Sequence, residues 1–360
     1  MIDSIFIDNY KQFKGFKLDN LKRVNIIAGS NNVGKSTILE ALFLFYDRTS
    51  PDFIVKQHAL RGDPIDSEIA AGQLWQPLFN DFDLSKTITL RCTDSGTVHE
   101  AKFNHLKDAA NEITQVQQSV SKANSSVTST LGTGQLSALK GSFKQGKISA
   151  GESYLYASTI DTFTMTVRSL KSPNKRLVYV NSAPKTHARE DAKKFGELVV
   201  RGEDQELVEL AKIIEPRIRK LSLGTQNGVS MIYCDVGLSR LVPLSMMGEG
   251  LGKFLSIMIA IETFENSIVC IDELENGIHY SIFKELFRAI DNIAKRKRNQ
   301  LFITTHDNDL LKGLDAYITE SASESFEFIR IDSREGKYTP KYYDGELLNA
   351  AIESNWEIRG

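Results

Sequence analysis

Gly29-Ser30-Asn31-Asn32-Val33-Gly34-Lys35-Ser36-Thr37 fills the pattern G-x-x-x-x-G-K-[ST] at every fixed position. The residues before it, Val24 to Ala28, form a short apolar run of strand character, and those after it, Thr37 to Phe45, carry apolar side chains at helical spacing. Strand, glycine loop and helix in that order is the context such a match requires. Gly29 and Gly34 permit a turn tight enough to aim backbone N–H groups at phosphate oxygens, and the helix that follows adds its positive end to the same point. Lys35 supplies a mobile positive charge for the β- and γ-phosphates, and the Ser36 hydroxyl is a ligand for Mg²⁺. Asn31, Asn32 and Thr37 complete the cradle. The expectation is a site for ATP and Mg²⁺.

The chain around this loop has 360 residues, 41% of them hydrophobic, which is enough for one large or two modest domains. A formal charge of -2 leaves no broad basic footprint, so any contact with nucleic acid must come from a local patch. Cys92, Cys234 and Cys270 are scattered without metal-ligand spacing and read as core residues in a reducing compartment. The N-terminus has neither a basic leader nor a long apolar stretch, and no run approaches the roughly 18 apolar residues of a membrane span. A cytoplasmic protein without a membrane partner is expected.

Ile5 to Leu18 alternates as a hairpin around Gly15 should, leading into the strand at Val24. From Thr49 to Leu84 the pattern breaks, with Trp75, Pro77, Leu78, Phe79 and Phe82 as expected buried anchors, and Thr87 to Cys92 reads as a strand. Phe103, Leu106, Ala110, Ile113, Val116 and Val120 recur at intervals of three or four, so the spacing predicts one helix from His99 to Ser125. Gly, Ser, Thr and Lys dominate from Ser125 to Gly151, which predicts a flexible segment. Strands are expected at Ser153 to Val167, Arg176 to Asn181 and Met231 to Asp235, with a broken helical segment from Arg189 to Leu221.

Three further motifs come late. Ser267 to Ile271 is an apolar strand ending in Asp272-Glu273; beside the loop strand, Asp272 would hold Mg²⁺ and Glu273 would polarise the water that attacks the γ-phosphate. Leu301 to Thr305 is another strand, ending in His306, which can reach the γ-phosphate. Leu244-Ser245-Met246-Met247-Gly248-Glu249-Gly250-Leu251-Gly252-Lys253 opens an apolar helix, with glycines that free the backbone at an end suited to anions.

Taken together these motifs resemble the ABC-type ATPase superfamily, and within it the SMC, RecF and OLD-like branch. The resemblance covers Met1 to Phe45 and about Pro243 to Gly360. It implies an α/β fold: an ABC-type P-loop NTPase head with a mostly parallel core sheet, an antiparallel β-subdomain and a helical insertion. The expected division is 1–92 and 241–360 for the two parts of the head, and 93–240 for the insertion. In that family a signature loop at a helix start, donated by a second subunit, caps the nucleotide across a dimer interface; Ser245, Gly248, Glu249 and Gly250 occupy its place. Met246 stands where the family has serine if Gly248-Glu249 is aligned with the family's Gly-Glu. Glu275-Asn276-Gly277-Ile278-His279 occupies the place of the D-loop, with helix capping as the other reading of His279. Gln73 and Gln76 are the candidates for the Q-loop glutamine. The run Lys295 to Arg298 reads as a solvated helix end rather than a DNA contact.

The span from Lys35 to Gly248 is about twice what a transporter ATPase domain leaves and far too short for an SMC arm, while few residues follow His306 and they hold no carboxylate cluster for a two-metal nuclease. The resemblance therefore narrows to stand-alone ATPases of bacterial anti-phage defence systems, of the Septu, PARIS and retron-associated kind. It implies slow ATP hydrolysis, a homodimer through an ATP sandwich with higher oligomers open, and control of a separate nuclease or toxin effector. A RecF-like clamp on DNA is the alternative, tRNA is a further nucleic-acid partner, and a nucleotide-binding structural subunit is a third reading.

Overall fold

The computed structural model describes residues 1–47, 75–121, 136–159, 162–168, 170–173, 175–180, 188–226 and 228–353. They fall into two compact units: Lys22–Leu39, Lys175–Arg334 and Thr339–Gly360 form one, and Met1–Leu21, Glu40–Asn174 and Glu335–Tyr338 the other.

The first unit is built on a six-stranded sheet in the order Lys337–Tyr343, Phe326–Arg334, Val24–Gly29, Gln300–Thr304, Ile268–Ile271, Leu177–Val180. The loop strand pairs in parallel with both neighbours, Ile26 opposite Ile303 on one side and Phe328 on the other. Val24–Gly29, Ile268–Ile271 and Gln300–Thr304 are buried at every residue, as strands covered on both faces must be. The strand ending in Asp272-Glu273 was expected beside the loop strand. It lies one place further out, because Gln300–Thr304 pairs with both and separates them. The helix Glu249–Thr263 is buried along most of its length, and Phe254, Ile257 and Ile261 join Phe287, Ile290 and Ile293 of the helix Phe283–Lys297 in one core. The expected broken helical segment is two helices, Ala188–Arg201 and Asp204–Ala211, parted at Gly202 (φ +72°), but it stops short of Leu221, which lies in the strand Lys220–Gln226. That strand pairs antiparallel with Val229–Asp235. The basic run is engaged within the unit: Lys295 with Asp291, Arg296 with Glu262 and Glu206, Lys297 with Glu203 and Glu262, Arg298 with Glu265.

The second unit is a seven-stranded antiparallel sheet in the order Phe16–Leu18, Ile2–Asp8, Ile88–Asp94, Thr97–Leu106, Ala138–Gln145, Ile148–Thr159, Thr162–Arg168. The hairpin around Gly15 is present, with Ile5 opposite Leu18. The helix expected from His99 to Ser125 is instead the strand Thr97–Leu106 followed by the helix Ala110–Ser121. Phe103 and Leu106 matched helical spacing, yet Ala101 and Phe103 are buried alternately, and a strand on each side takes the backbone hydrogen bonds. The segment expected to be flexible from Ser125 to Gly151 contains Ala138–Gln145 and the start of Ile148–Thr159, joined at Gly146 (φ +58°); residues 122–135 lie outside the described residues. Leu139 and Phe143 supply the burial that so few apolar residues seemed unable to provide. Of the segment 93–240, the part in the second unit is β apart from one described helix, which starts beside Ala109 and whose Ile113 packs with Ala138, Tyr154 and Tyr156; the helices Ala188–Arg201 and Asp204–Ala211 of the same segment lie in the first unit. Trp75, Leu78 and Phe79 are buried as expected, whereas Pro77 and Phe82 are exposed. No helix among the described residues is long and apolar enough to cross a membrane.

Candidate active site

The loop after Val24–Gly29 is shaped by its glycines. A Cβ on Gly29 (φ +143°) would stand 2.6 Å from the Ile331 carbonyl oxygen and 2.9 Å from Val33 Cγ2, so only glycine fits. Gly34 (φ +96°) and Asn32 (φ +64°) are also left-handed, and Ser30, Asn31 and Asn32 are exposed. Val33 and Thr37 are buried beneath them. The helix Lys35–Tyr46 starts at once, with the Ile38 N–H donating to the Gly34 carbonyl at 3.1 Å. Lys35 Nζ folds back over the loop and donates to the carbonyls of Gly29 (2.8 Å) and Ser30 (3.0 Å). Burial lowers its pKa, against the fields of Glu275, Glu273 and Asp272, which favour the charged form.

Opposite the loop, Asp272 is the centre of a hydroxyl network. Its Oδ1 accepts from Ser36 Oγ at 3.0 Å and from Thr304 Oγ1 at 2.6 Å, and its Oδ2 lies 3.5 Å from the Tyr179 hydroxyl. The intervening strand therefore does not keep Ser36 and Asp272 apart: it ends in Thr304, whose hydroxyl fills the gap. Glu273 adopts a left-handed backbone (φ +48°); its N–H donates to Thr304 Oγ1 at 2.9 Å and its carboxylate accepts from Asn276 Nδ2 at 2.6 Å. Ser36 and Asp272 together offer hard oxygen donors, a set that fits Mg²⁺.

His306 is about half exposed, and both its backbone N–H and its Nδ1 lie 2.8 Å from Glu275 Oε1. Burial raises the Glu275 pKa. A second lysine also belongs to this cluster. Lys253, on the helix Glu249–Thr263, is only 3% exposed. Burial pushes its pKa down to about 8, while Asp272, Glu273, Glu275 and Asp191 attract its charge. Asp191, buried on the helix Ala188–Arg201, is pushed up to about 6 by the same effect, against a hydrogen bond from Ser256.

The structure thus brings Lys35, Ser36, Asp272, Glu273 and His306 into one neighbourhood. Ser245, Gly248, Glu249 and Gly250 form a separate group at the start of their helix. Ser245 sits in the short turn Leu244–Met246, Gly248 (φ +99°) caps the helix, and a Cβ on Gly250 would stand 2.6 Å from the Gly277 carbonyl oxygen. Ser245, Gly248 and Glu249 are exposed. His279 caps a helical turn, accepting the Ser281 N–H, which favours the capping reading. Gln76 is exposed in the second unit and Gln73 lies outside the described residues. Tyr179, Thr304, Lys253 and Asp191 were missed by the sequence reading. Thr304 carried a signal, two places before His306, but the others depend on strand register and helix packing.

Residues 1–159 match the AAA_15 family, "AAA ATPase domain", and residues 160–312 match AAA_21, "AAA domain, putative AbiEii toxin, Type IV TA system". The chain is an ATPase. This ATPase is similar to the "ATP/GTP phosphatase" of Helicobacter pylori, 25% identical over 380 residues that cover 100% of both chains. A 45-residue stretch, 12% of this chain and 20% of the other, is 56% identical to the uncharacterized protein MJECL10 of Methanocaldococcus jannaschii. Among solved structures the ATPase aligns with an SMC head bound to the C-winged helix domain of ScpA (TM-score 0.49, 13% identity, 98% of this chain and 99% of that one). A Pyrococcus furiosus Smc head with an extended coiled coil, bound to the C-terminal domain of ScpA, aligns with TM-score 0.44, 12% identity and coverage of 100% and 99%.

Proposed function

We propose that the ATPase closes a homodimer around ATP and Mg²⁺, reopens it by hydrolysis, and through this cycle controls a separate nuclease or toxin effector in bacterial anti-phage defence. The observation that carries the reading is the Ser36–Asp272 contact of 3.0 Å at the mouth of the glycine loop, with Glu273 next in sequence. Ser36 and Asp272 would hold Mg²⁺, which when bound neutralises charge on the phosphates. Lys35 exchanges the carbonyls of Gly29 and Ser30 for phosphate oxygens, an exchange of neutral acceptors for charged ones. Glu273 leaves Asn276 to orient the attacking water and take its proton. His306, half exposed at its strand end, faces the γ-phosphate. The exposed group Ser245, Gly248 and Glu249 would cap the nucleotide of a second copy, with backbone N–H groups replacing the missing serine at Met246.

The effector role draws support from the toxin–antitoxin description of the family matched by residues 160–312. The DNA-clamp reading gains nothing from Lys295 to Arg298, whose charges are engaged by carboxylates. Co-purification of the Glu273→Gln protein from its native operon with ATP, read by native mass spectrometry, tests the proposal. A neighbouring protein in fixed stoichiometry supports it, and DNA in place of that protein overturns it. Lys35→Ala should reduce ATP affinity at least about 100-fold, the loss of a charged phosphate contact in a partly buried site; unchanged nucleotide binding would remove the loop from the mechanism.

A further inference from the structure

The strand-end histidine has a partner that the motif does not foretell. Glu275 Oε1 lies 2.8 Å from His306 Nδ1 and accepts the His306 backbone N–H at the same distance. Its Oε2 is buried without a hydrogen-bond partner, and the residue is only 7% exposed. A buried carboxylate with one oxygen open is a poor device for stability, so its place calls for another account. Glu273, the neighbouring carboxylate, is turned to Asn276 at 2.6 Å. Glu275 is therefore the acid that meets the imidazole. It is also held firmly: the Ile278 N–H donates to its carbonyl at 3.0 Å, and Leu274 before it is tied to the Thr304 carbonyl at 3.2 Å.

We infer that Glu275 is a positioning residue for His306: its carboxylate fixes Nδ1 as the protonated nitrogen, sets the plane of the ring, and leaves Nε2 to face the nucleotide. The logic is that of any carboxylate behind a working histidine, where the partner of one nitrogen decides what the other can do. A free imidazole carries its proton mainly on Nε2, and this contact reverses the preference. The double contact adds precision, because one oxygen holds both the ring and the backbone from which the ring hangs. The inference rests on the reading that gives His306 a role in hydrolysis, and its test separates the two.

The measurement is ¹⁵N NMR of ring-labelled histidines in the nucleotide-free protein, with His306→Ala identifying the signal. The wild type should show His306 protonated at Nδ1 and bare at Nε2. A proton on Nε2 with a bare Nδ1 would overturn the inference without any mutation of Glu275. Glu275→Ala should shift the ring toward the Nε2-protonated form and lower kcat about tenfold to 100-fold, with ATP affinity within about twofold of wild type. Glu275→Gln keeps an acceptor oxygen and should restore much of the tautomer preference and part of kcat. An unchanged His306 spectrum in Glu275→Ala would also sink the inference. If the spectrum shifts as expected while His306→Ala leaves turnover intact, the positioning holds and the role of His306 in hydrolysis falls.

Discussion

At the scale of single residues, the division of labour between two adjacent carboxylates can be tested. Asp272 is fixed by Ser36, Thr304 and Tyr179, whereas the carboxylate of Glu273 accepts from Asn276 and can be released from it. Glu273→Gln should keep nucleotide binding and lower turnover by about 10²–10⁴, the usual worth of a general base, measured by phosphate release beside a binding titration. Normal turnover would exclude Glu273 as the base. Asp191 allows a prediction of opposite kind, about stability. Its carboxyl titrates near 6 in the folded protein against an ordinary 3.8, so the folded state keeps a proton that the unfolded chain has lost across that interval. Stability is then highest below the ordinary value and falls as pH rises through 6, by up to about 3 kcal/mol. Asp191→Asn lacks this loss, so the wild type should weaken relative to the variant as unfolding is followed from pH 4 to 7. A constant difference would show that Lys253 offsets the burial. Much of the site was legible because Gly29 to Thr37 and Asp272-Glu273 are contiguous runs whose chemistry survives any context. Thr304 and Tyr179 were not, since their hydroxyls reach Asp272 only through a register set by partners far along the chain.

At the scale of elements, the readings that held were those in which one physical cause dominated. The strands Val24–Gly29 and Ile268–Ile271 are buried on both faces and read as unbroken apolar runs. Thr97–Leu106 is half exposed, and its few apolar residues fit two periods; pairing with neighbouring strands on both sides decided the matter, and no local pattern reports that. Strand order escaped for the same reason, since nothing in the sequence says that Gln300–Thr304 lies between the loop strand and Asp272. One buried amide shows how these elements are locked. Asn299 Oδ1 accepts from the Ser267 N–H and Oγ, both at 2.9 Å, and its Nδ2 donates to the carbonyls of Ile261 (2.7 Å) and Phe264 (2.9 Å). It joins the end of the helix Glu249–Thr263 to the start of Ile268–Ile271. Asn299→Ala would leave several buried groups unpaired at a cost of about 3 kcal/mol, which calorimetry should register as a melting point lower by roughly 6–12 °C. A shift within about 2 °C would mean that water replaces the amide.

At the scale of the whole molecule, the described residues form two large sheets of different character, one mainly parallel and one antiparallel, with a small three-stranded sheet besides, and the charges of the chain nearly cancel. Near-neutrality explains why composition says so little about partners: a net charge of -2 selects none. The proposed dimer must therefore be argued from its face. Met246 is 76% exposed beside Ser245 and Gly248, a large apolar side chain at the mouth of the turn that would cap a second copy's nucleotide. Lys35 and Ser36, which would bind this chain's own nucleotide, belong to other elements. A charge at Met246 should thus break pairing and spare ATP binding. In the Glu273→Gln background with ATP, sedimentation should show a dimer, and Met246→Arg should weaken it at least tenfold, about 1.4 kcal/mol, with ATP affinity unchanged. Ile148→Arg, placed at a side chain 67% exposed in the antiparallel unit, serves as the control and should leave the dimer intact. If Met246→Arg pairs as well as its parent, the turn from Leu244 to Met246 is not the dimer face, and the exposed Gly248 after it must be assigned another partner.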